Sequence, residues 1–209
     1  MAQTYTIQQG DHLSSVAAKL GFADYRTIWD HPKNAELKKK RQNPNVLFPG
    51  DQVYIPDKQV KKEQCDTGRL HRFVTRVEKL KLRLTLKDVD ARPIANTPCE
   101  LTVDGRAYKL TSDADGHIDA EVPRAAQSGE ITLLDTIVPV KIGHLDPVDQ
   151  TTGALARLAN LGYYRGSQAP VDEAELLSAI EEFQCDNDLT VNGQCDGATL
   201  AKLQEAHGC

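Results

Sequence analysis

A chain of 209 residues, 40% hydrophobic and 26% charged, is long enough for one large domain or two to three small ones, and the motifs below divide it into three. No run approaches the ~18 consecutive apolar residues that a membrane-spanning helix requires. The net charge of −5 is unevenly placed: residues 146–209 hold 11 acidic against 3 basic side chains, which excludes a phosphate backbone as the partner of that end.

Met1 to Thr4 carries neither a basic segment nor the start of an apolar one. The expectation is a chain made in the cytoplasm without a signal peptide. Five cysteines, none in Cys-x-x-Cys spacing, are expected as free thiols, with a Cys185–Cys195 bridge left open for an oxidising compartment.

Tyr5/Ile7 and Val53/Ile55 alternate as short strands, and Leu13, Val16, Ala17 and Leu20 form one apolar helix face that Gly21 ends. Asp24 can cap a short helix over 25–30, His31-Pro32 interrupts it, and a further helical piece runs over 34–41. The basic run Lys38 to Arg41 on that piece is expected as a solvated helix face, with attraction of anionic glycan groups as the competing reading.

Two phrases bound this stretch: Tyr5-Thr6-Ile7-Gln8-Gln9-Gly10-Asp11-His12-Leu13 and Pro49-Gly50-Asp51-Gln52-Val53-Tyr54-Ile55-Pro56. In that order they resemble the LysM domain, a βααβ carbohydrate-binding module for peptidoglycan and chitin. The resemblance implies a shallow groove between two loops. Here those are Gly10, Asp11, His12 and Leu13 on one side, and Asn45, Val46, Leu47, Phe48, Pro49 and Gly50 on the other. His12 departs from the family, which commonly has Thr there. Each position also has a purely structural role available, such as Asp11 capping the first helix and Gly10 and Gly50 permitting tight turns.

Residues 58–73 are polar and aperiodic and read as a linker. After them Leu80, Leu82, Leu84 and Leu86 alternate with polar residues, a strand with one wet face. Asp104-Gly105 is a two-residue hairpin signal between Cys99/Leu101/Val103 and Tyr108/Leu110. Ile118/Ala120/Val122 follows a turn at Asp113 to Gly116, and further strands are expected over 131–134 and 137–142. The spacing predicts a small antiparallel sandwich. The phrases 92–101 and 111–118 resemble Ig-like or carboxypeptidase-regulatory-like sandwiches of bacterial surface and injection-apparatus proteins, and similar segments accompany LysM modules in proteins associated with type VI secretion spikes.

From Asp149 the period is helical. Leu155, Leu158 and Leu161 precede Gly162; Asp172 to Glu175 makes a capping-box-like start for Leu176, Leu177, Ile180 and Phe183; Asp196 can cap a last helix holding Leu200 and Leu203. The order and spacing of residues 148–207 resemble the three-helix peptidoglycan-binding domain that accompanies many wall hydrolases, with a departure at Gln194-Cys195 from the family's usual aliphatic pair. That resemblance implies a second wall-binding surface at Gly162, Tyr163, Phe183, Gln184, Asn187 and Asn192, with Phe183 also a core candidate.

A search for chemistry assigns no catalytic residue, metal or cofactor. The six histidines are scattered with no His-x-x-x-His. Asp113 and Asp115 before Gly116 supply half a calcium loop, and a hairpin turn accounts for them better. Asp88 and Asp90 lie where solvated acids are expected. Ala206-His207-Gly208-Cys209 is similar to the Cys motif of L,D-transpeptidases but lacks its flanking strand and Arg.

The expected architecture is multidomain α+β: a LysM module over 1–57, a linker over 58–73, a sandwich spacer over 74–145 and a three-helix domain over 146–209. The expected function is non-enzymatic binding of peptidoglycan or a chitin-like glycan, at the wall or periplasm if the chain is delivered by a non-classical or injection route. The alternative is an adaptor of a type VI-like contractile apparatus, in which the LysM module contacts spike or effector proteins.

Overall fold

The structure, a computed structural model, describes residues 2–59, 62, 64–72, 74, 79–88, 90 and 92–209. It is a mixed α/β chain of small antiparallel sheets and helices gathered around three buried clusters.

At the N-terminal end β1 (Gln3–Thr6) pairs antiparallel with β2 (Gln52–Ile55), Tyr5 opposite Val53. Between them stand α1 (Leu13–Lys19), α2 (Arg26–Trp29), a 3-10 turn (Pro32–Asn34) and α3 (Ala35–Arg41). The order is thus βαααβ and not βααβ. Pro32 at the start of the 3-10 turn separates α2 from α3, because its ring fixes φ and removes a donor. Leu13, Val16, Ala17, Ile28 and Val53 are fully enclosed in the core. The amide of Asn34, itself buried, donates to the carbonyls of Ile28 (2.7 Å) and Tyr54 (2.8 Å) and accepts from the Tyr54 N–H (2.8 Å), so it ties the helical connection to β2.

The basic run does not behave as one face. Lys38, Lys39 and Lys40 are exposed, but the Arg41 side chain is 2% exposed and makes two bonds to Asp51, Nε to Oδ2 at 2.7 Å and the guanidinium to Oδ1 at 3.0 Å. One turn of helix places Arg41 inward while its three neighbours point out, which a charge count along the sequence does not register.

Residues 60, 61, 63 and 73 of the expected linker, and 75–78 at the start of the expected sandwich, lie outside the described residues. The other linker residues carry no helix or strand. The next elements are β3 (Leu80–Thr85), β4 (Pro98–Val103), β5 (Arg106–Thr111), β6 (His117–Val122), β7 (Ser128–Leu133) and β8 (Thr136–Lys141). β3 pairs with β6, and a second sheet runs β5-β4-β7-β8, every pairing antiparallel. The two sheets share one core: Leu101, Val103, Ile118, Ala120, Val122 and Ile131 are buried, with the alternating leucines of β3 packed against them.

Asp104-Gly105 turns with φ of 50° and 73°, the left-handed pair that a two-residue hairpin needs. Leu134-Asp135 does the same at 46° and 65° without a glycine. At Gly116, φ is +78° and a Cβ would lie 2.4 Å from the Leu86 carbonyl oxygen, so only glycine lets the turn close against β3.

The C-terminal end holds α4 (Thr151–Leu161), α5 (Glu173–Asp186) and α6 (Gly197–His207). Gly162 ends α4 at φ 92°. Asp172 caps α5, its carboxylate accepting from the Ala174 and Glu175 amides at 3.1 Å, and Asp196 caps α6 through the Thr199 amide at 2.9 Å. Glu175 does not complete a capping box; its carboxylate accepts from the Arg165 N–H at 3.0 Å. All five cysteines are free thiols, and Cys195 is partly buried against the third cluster, where it fills apolar space.

Candidate functional site

The two loops expected to form a glycan groove lie side by side and are bonded to each other. The Leu13 N–H donates to the Pro44 carbonyl (3.1 Å) and the Ser14 hydroxyl to the Asn45 side chain (3.2 Å). Within the second loop the Asn45 and Val46 amides are taken by Asn43, and the Phe48 amide by Asp51 at 3.0 Å. Val46 and Leu47 are buried, Phe48 and Pro49 are half-buried, and Gly50 is exposed.

The first loop is turned into the molecule. Gly10, Asp11, His12 and Leu13 are all buried. Asp11 is not the cap of α1, since His12 occupies that position. Its carboxylate instead accepts from the Tyr5 hydroxyl (2.7 Å), the Gln8 N–H (3.1 Å) and Lys19 Nζ (2.8 Å). Burial alone raises its pKa, but these bonds outweigh burial and hold it below the usual carboxylate value.

Covering the loop is the sandwich. His12 Nε2 meets the Ala126 carbonyl at 3.2 Å, and the Gln127 amide donates to the Gly10 carbonyl at 3.2 Å. The Arg124 guanidinium donates to the carbonyls of Phe22 (2.6 Å) and Ala23 (2.7 Å) beside them. Contacts this close leave no room: a Cβ on Gly143 would lie 2.7 Å from the His12 ring and 2.8 Å from the Gly10 oxygen, and one on Gly10 would lie 2.9 Å from the His144 ring. No sequence signal pointed to this seat, because Arg124 to Gln127 is over a hundred residues away. The one hint was His12 itself, the departure from the LysM pattern.

Burial lowers the pKa of His12, opposed by the Ala126 carbonyl and the Asn45 side chain, with Asp11 favouring the charge and Lys19 opposing it. Among the described residues its Nδ1 has no hydrogen-bond partner. His207 is lowered to about 4 by burial and by Arg157. In both, the folded state resists a proton that the unfolded chain accepts near pH ~6.5. The stability linked to them is complete above that pH and is lost as pH falls, levelling off for His207 near about 4. We expect the melting temperature to drop between pH 7 and 5, and a His12→Gln/His207→Gln variant to show a shallower drop over that range.

In the C-terminal helices the determining side chain is Gln184, 0% exposed on α5. Its amide nitrogen lies 2.9 Å from Asn192 Oδ1, the Gln194 carbonyl and Thr199 Oγ1, and its oxygen accepts from the N–H of Asn192 (2.9 Å) and Gly193 (3.0 Å). One buried amide therefore fixes the loop from α5 into α6. Arg157, 1% exposed, does similar work at the other end, donating to the carbonyls of Asp146 (2.8 Å), Gly153 (2.9 Å) and Cys209 (2.9 Å). Residues 154–203 match the family model described as "Putative peptidoglycan binding domain". The chain carries a peptidoglycan-binding domain. No curated protein and no solved structure matches the chain.

Within the peptidoglycan-binding domain, Phe183 and Gln184 are interior, Phe183 being 0% exposed with the Tyr163 ring edge-on at 5.3 Å. The exposed surface near them comes from Gly162, Asn192 and half-buried Tyr163 and Asn187. Tyr163 donates to Asp186 at 3.2 Å and Asn187 to the Phe183 carbonyl at 2.8 Å. Several of the six positions are neighbours, Tyr163 against Phe183, Asn187 against Phe183 and Gln184 against Asn192. Gly162 and Tyr163 follow α4, while Asn187 and Asn192 follow α5. Sequence reasoning passed over Arg157, whose burial follows from its place on the inner face of α4.

Neither reactive-looking cluster is activated. His207 Nδ1 lies 3.1 Å from Cys209 Sγ, but burial pushes the thiol up and the imidazole down, which opposes the thiolate–imidazolium pair that a nucleophilic cysteine uses. Asp113, Asp115 and His117 approach one another and are all exposed. The Asp113 carboxylate accepts from the backbone of Asp115 (2.9 Å) and His117 (2.8 Å), as expected of a turn.

Proposed function

We propose that the chain is a non-enzymatic peptidoglycan-binding protein that anchors or targets itself to the bacterial cell wall through its C-terminal helices. The observation that carries this is the family match over 154–203, in a region where α4, α5 and α6 are capped and cored as a three-helix unit. The N-terminal unit we read as LysM-like from its paired motifs, and the sandwich as an Ig-like spacer. The place of action on this reading is the wall or periplasm.

A second reading has its own support: the N-terminal unit serves as a protein-contacting element of an injection apparatus. Its loop at Gly10 to Leu13 is covered by Ala126 and Gln127 of the same chain, which takes that loop away from a glycan and leaves the unit a packing role. The two readings separate in one assay. Purified full-length chain should pellet with insoluble sacculi and stay in the supernatant with chitin beads, since the first loop of the N-terminal unit, Gly10 to Leu13, is buried. Retention on chitin equal to that on sacculi would return glycan binding to the N-terminal unit, and no retention on sacculi would defeat the wall-binding reading.

A further inference from the structure

A cleft of about 570 Å³ opens between the sandwich and the peptidoglycan-binding domain. One wall is built from the sandwich, with Lys87 just beyond β3 and Asp115 and His117 at the turn into β6; the other has Asn160 and Gly162 at the end of α4, and Arg165. The sandwich wall carries charge of both signs, and the helical wall adds the cation Arg165. Among the described residues the side chains of Lys87 and Arg165 enter no hydrogen bond or ion pair, and the Asp115 carboxylate accepts no hydrogen bond. The other charged chains of these turns are committed: the Asp88 carboxylate to the Asp90 and Arg92 amides at 2.9 Å, Asp113 to its own turn. Asn160 donates its side-chain amide to His207 Nε2 at 3.0 Å, and among the described residues its carbonyl oxygen takes part in no hydrogen bond. Gly162 adds no side chain, and a Cβ there would meet nothing within 4 Å.

The chemistry of this lining discriminates among wall components. An uncharged glycan strand would use neither the cations nor the carboxylate. A polyanion would meet Asp115 and Asp88 beside the cations, and the domain around it is strongly acidic, so phosphate polymers are disfavoured. A short peptide with carboxylates and a free amine matches both signs at once. We propose that this cleft binds the peptide part of peptidoglycan, Lys87 and Arg165 holding its carboxylates, Asp115 its free amine, and Asn160 a peptide N–H. This rests on the wall-binding reading above and adds that the site is shared, since the sandwich supplies Lys87 and Asp115. The sandwich is then part of the binding surface and not only a spacer. Exposed ion pairs are weak and screened by salt, so retention by this cleft should be modest and should fall as ionic strength rises.

The test uses the full-length chain, a Lys87→Glu/Arg165→Glu variant and a control, Lys109→Glu/Lys141→Glu, with the same charge change on exposed sandwich strands away from the cleft. Each is incubated with intact sacculi and with glycan strands stripped of peptide by an amidase, at low and high sodium chloride. Folding of each is checked by circular dichroism. The expected result is salt-sensitive retention of wild type and control on intact sacculi, about fivefold weaker retention of the cleft variant, and poor retention of all three on stripped strands. Wild-type retention on stripped strands equal to that on sacculi overturns the inference, as does an equal loss in the control. A cleft variant that pellets like wild type overturns the cleft alone, whereas a wild-type chain that never pellets with sacculi overturns the cleft and the wall-binding reading together.

Discussion

Asp51→Ala is expected to destabilise the N-terminal unit by about 3–5 kcal/mol, because it removes the partner of a buried charge and leaves the charge in place. Arg41 and Asp51 have side chains 2% and 6% exposed. A second acid near Arg41, Asp149, lies at 3.6 Å and is more than half exposed, too wet to replace the lost carboxylate. Arg41 Nη1, the nitrogen that faces Asp149, makes no hydrogen bond among the described residues. Asp51 also accepts the Phe48 N–H, so the same change unties the loop at Leu47 to Gly50. Removing both charges should cost much less than removing Asp51 alone: an Arg41→Met/Asp51→Leu variant loses the Phe48 hydrogen bond, the ion pair itself and the longer contacts of Arg41 with Asp149 and of Asp51 with Lys40, together about 1–2 kcal/mol. Urea denaturation of the single and double variants measures the difference. If Asp51→Ala is no less stable than the double variant, the pair is not a buried charge couple. The acid limb gives a second check. Burial raises the Asp51 pKa, but the bonds from Arg41 and Phe48 prevail and lower it below 3.8. Stability from this group is therefore present above ~pH 4 and lost as pH falls through the depressed value, and that part of the acid transition should be missing in both variants.

Much of the fold was legible because its signals are local. The alternating leucines of β3, the Asp104-Gly105 hairpin and the caps at Asp172 and Asp196 each depend on residues within a few positions, and all stand where the sequence places them. What escaped are decisions made by distant partners. The charge run ending at Arg41 reads as a solvated face until Asp51 is brought beneath it, ten residues later across a loop. His12 reads as a surface ligand candidate until Ala126 arrives. Arg157 and Gln184 read as ordinary polar positions of amphipathic helices, yet each is enclosed and bonded to backbone at three or more places. Among the candidate binding residues, the sequence located the loops correctly relative to the strands and helices but carried no information on which loop faces another part of the same chain. Burial of Asp11, His12 and Leu13 is a property of the assembled chain.

The seating of the N-terminal unit also bears on how the parts work together. Arg124 and Gln127 bind its backbone carbonyls, and Arg41 reaches Asp149, two residues before α4. On the far side Arg157 of α4 holds the Asp146 carbonyl. The segment from Ile142 to Asp149 is thereby held from both sides, so the peptidoglycan-binding domain is positioned by contacts with the N-terminal unit as well as by chain connection.

The second large effect should come from Gln184→Met, which keeps the approximate volume of the side chain and removes its polarity. The amide currently serves Asn192, Gly193, Gln194 and Thr199. A thioether leaves those groups to find water, and Thr199, 2% exposed, has little access to it. Unmet buried partners cost about 1–3 kcal/mol each where water cannot enter and less where it can; with Asn192 and Gln194 at the surface, the total should be about 3 kcal/mol. The loss should fall on the C-terminal helices, whose core is separate from the other two, giving an earlier unfolding step while the strands of the sandwich remain folded. Gln184→Glu distinguishes polarity from shape. The carboxylate still accepts from the Asn192 and Gly193 amides but turns its second oxygen toward Asn192 Oδ1, the Gln194 carbonyl and Thr199, where a donor stood. Oxygen facing oxygen raises the pKa of that carboxyl above its unfolded value of ~4.3, so its stability penalty should be largest at neutral pH and shrink as the pH falls toward that value. That trend runs opposite to the histidine-linked loss and is read from calorimetric melts of Gln184→Glu and wild type across pH 7 to 5. A Gln184→Glu curve parallel to wild type would mean that the amide does not organise the loop, and a Gln184→Met chain that holds sacculi as tightly as wild type while its helices stay folded would remove the loop from the binding surface.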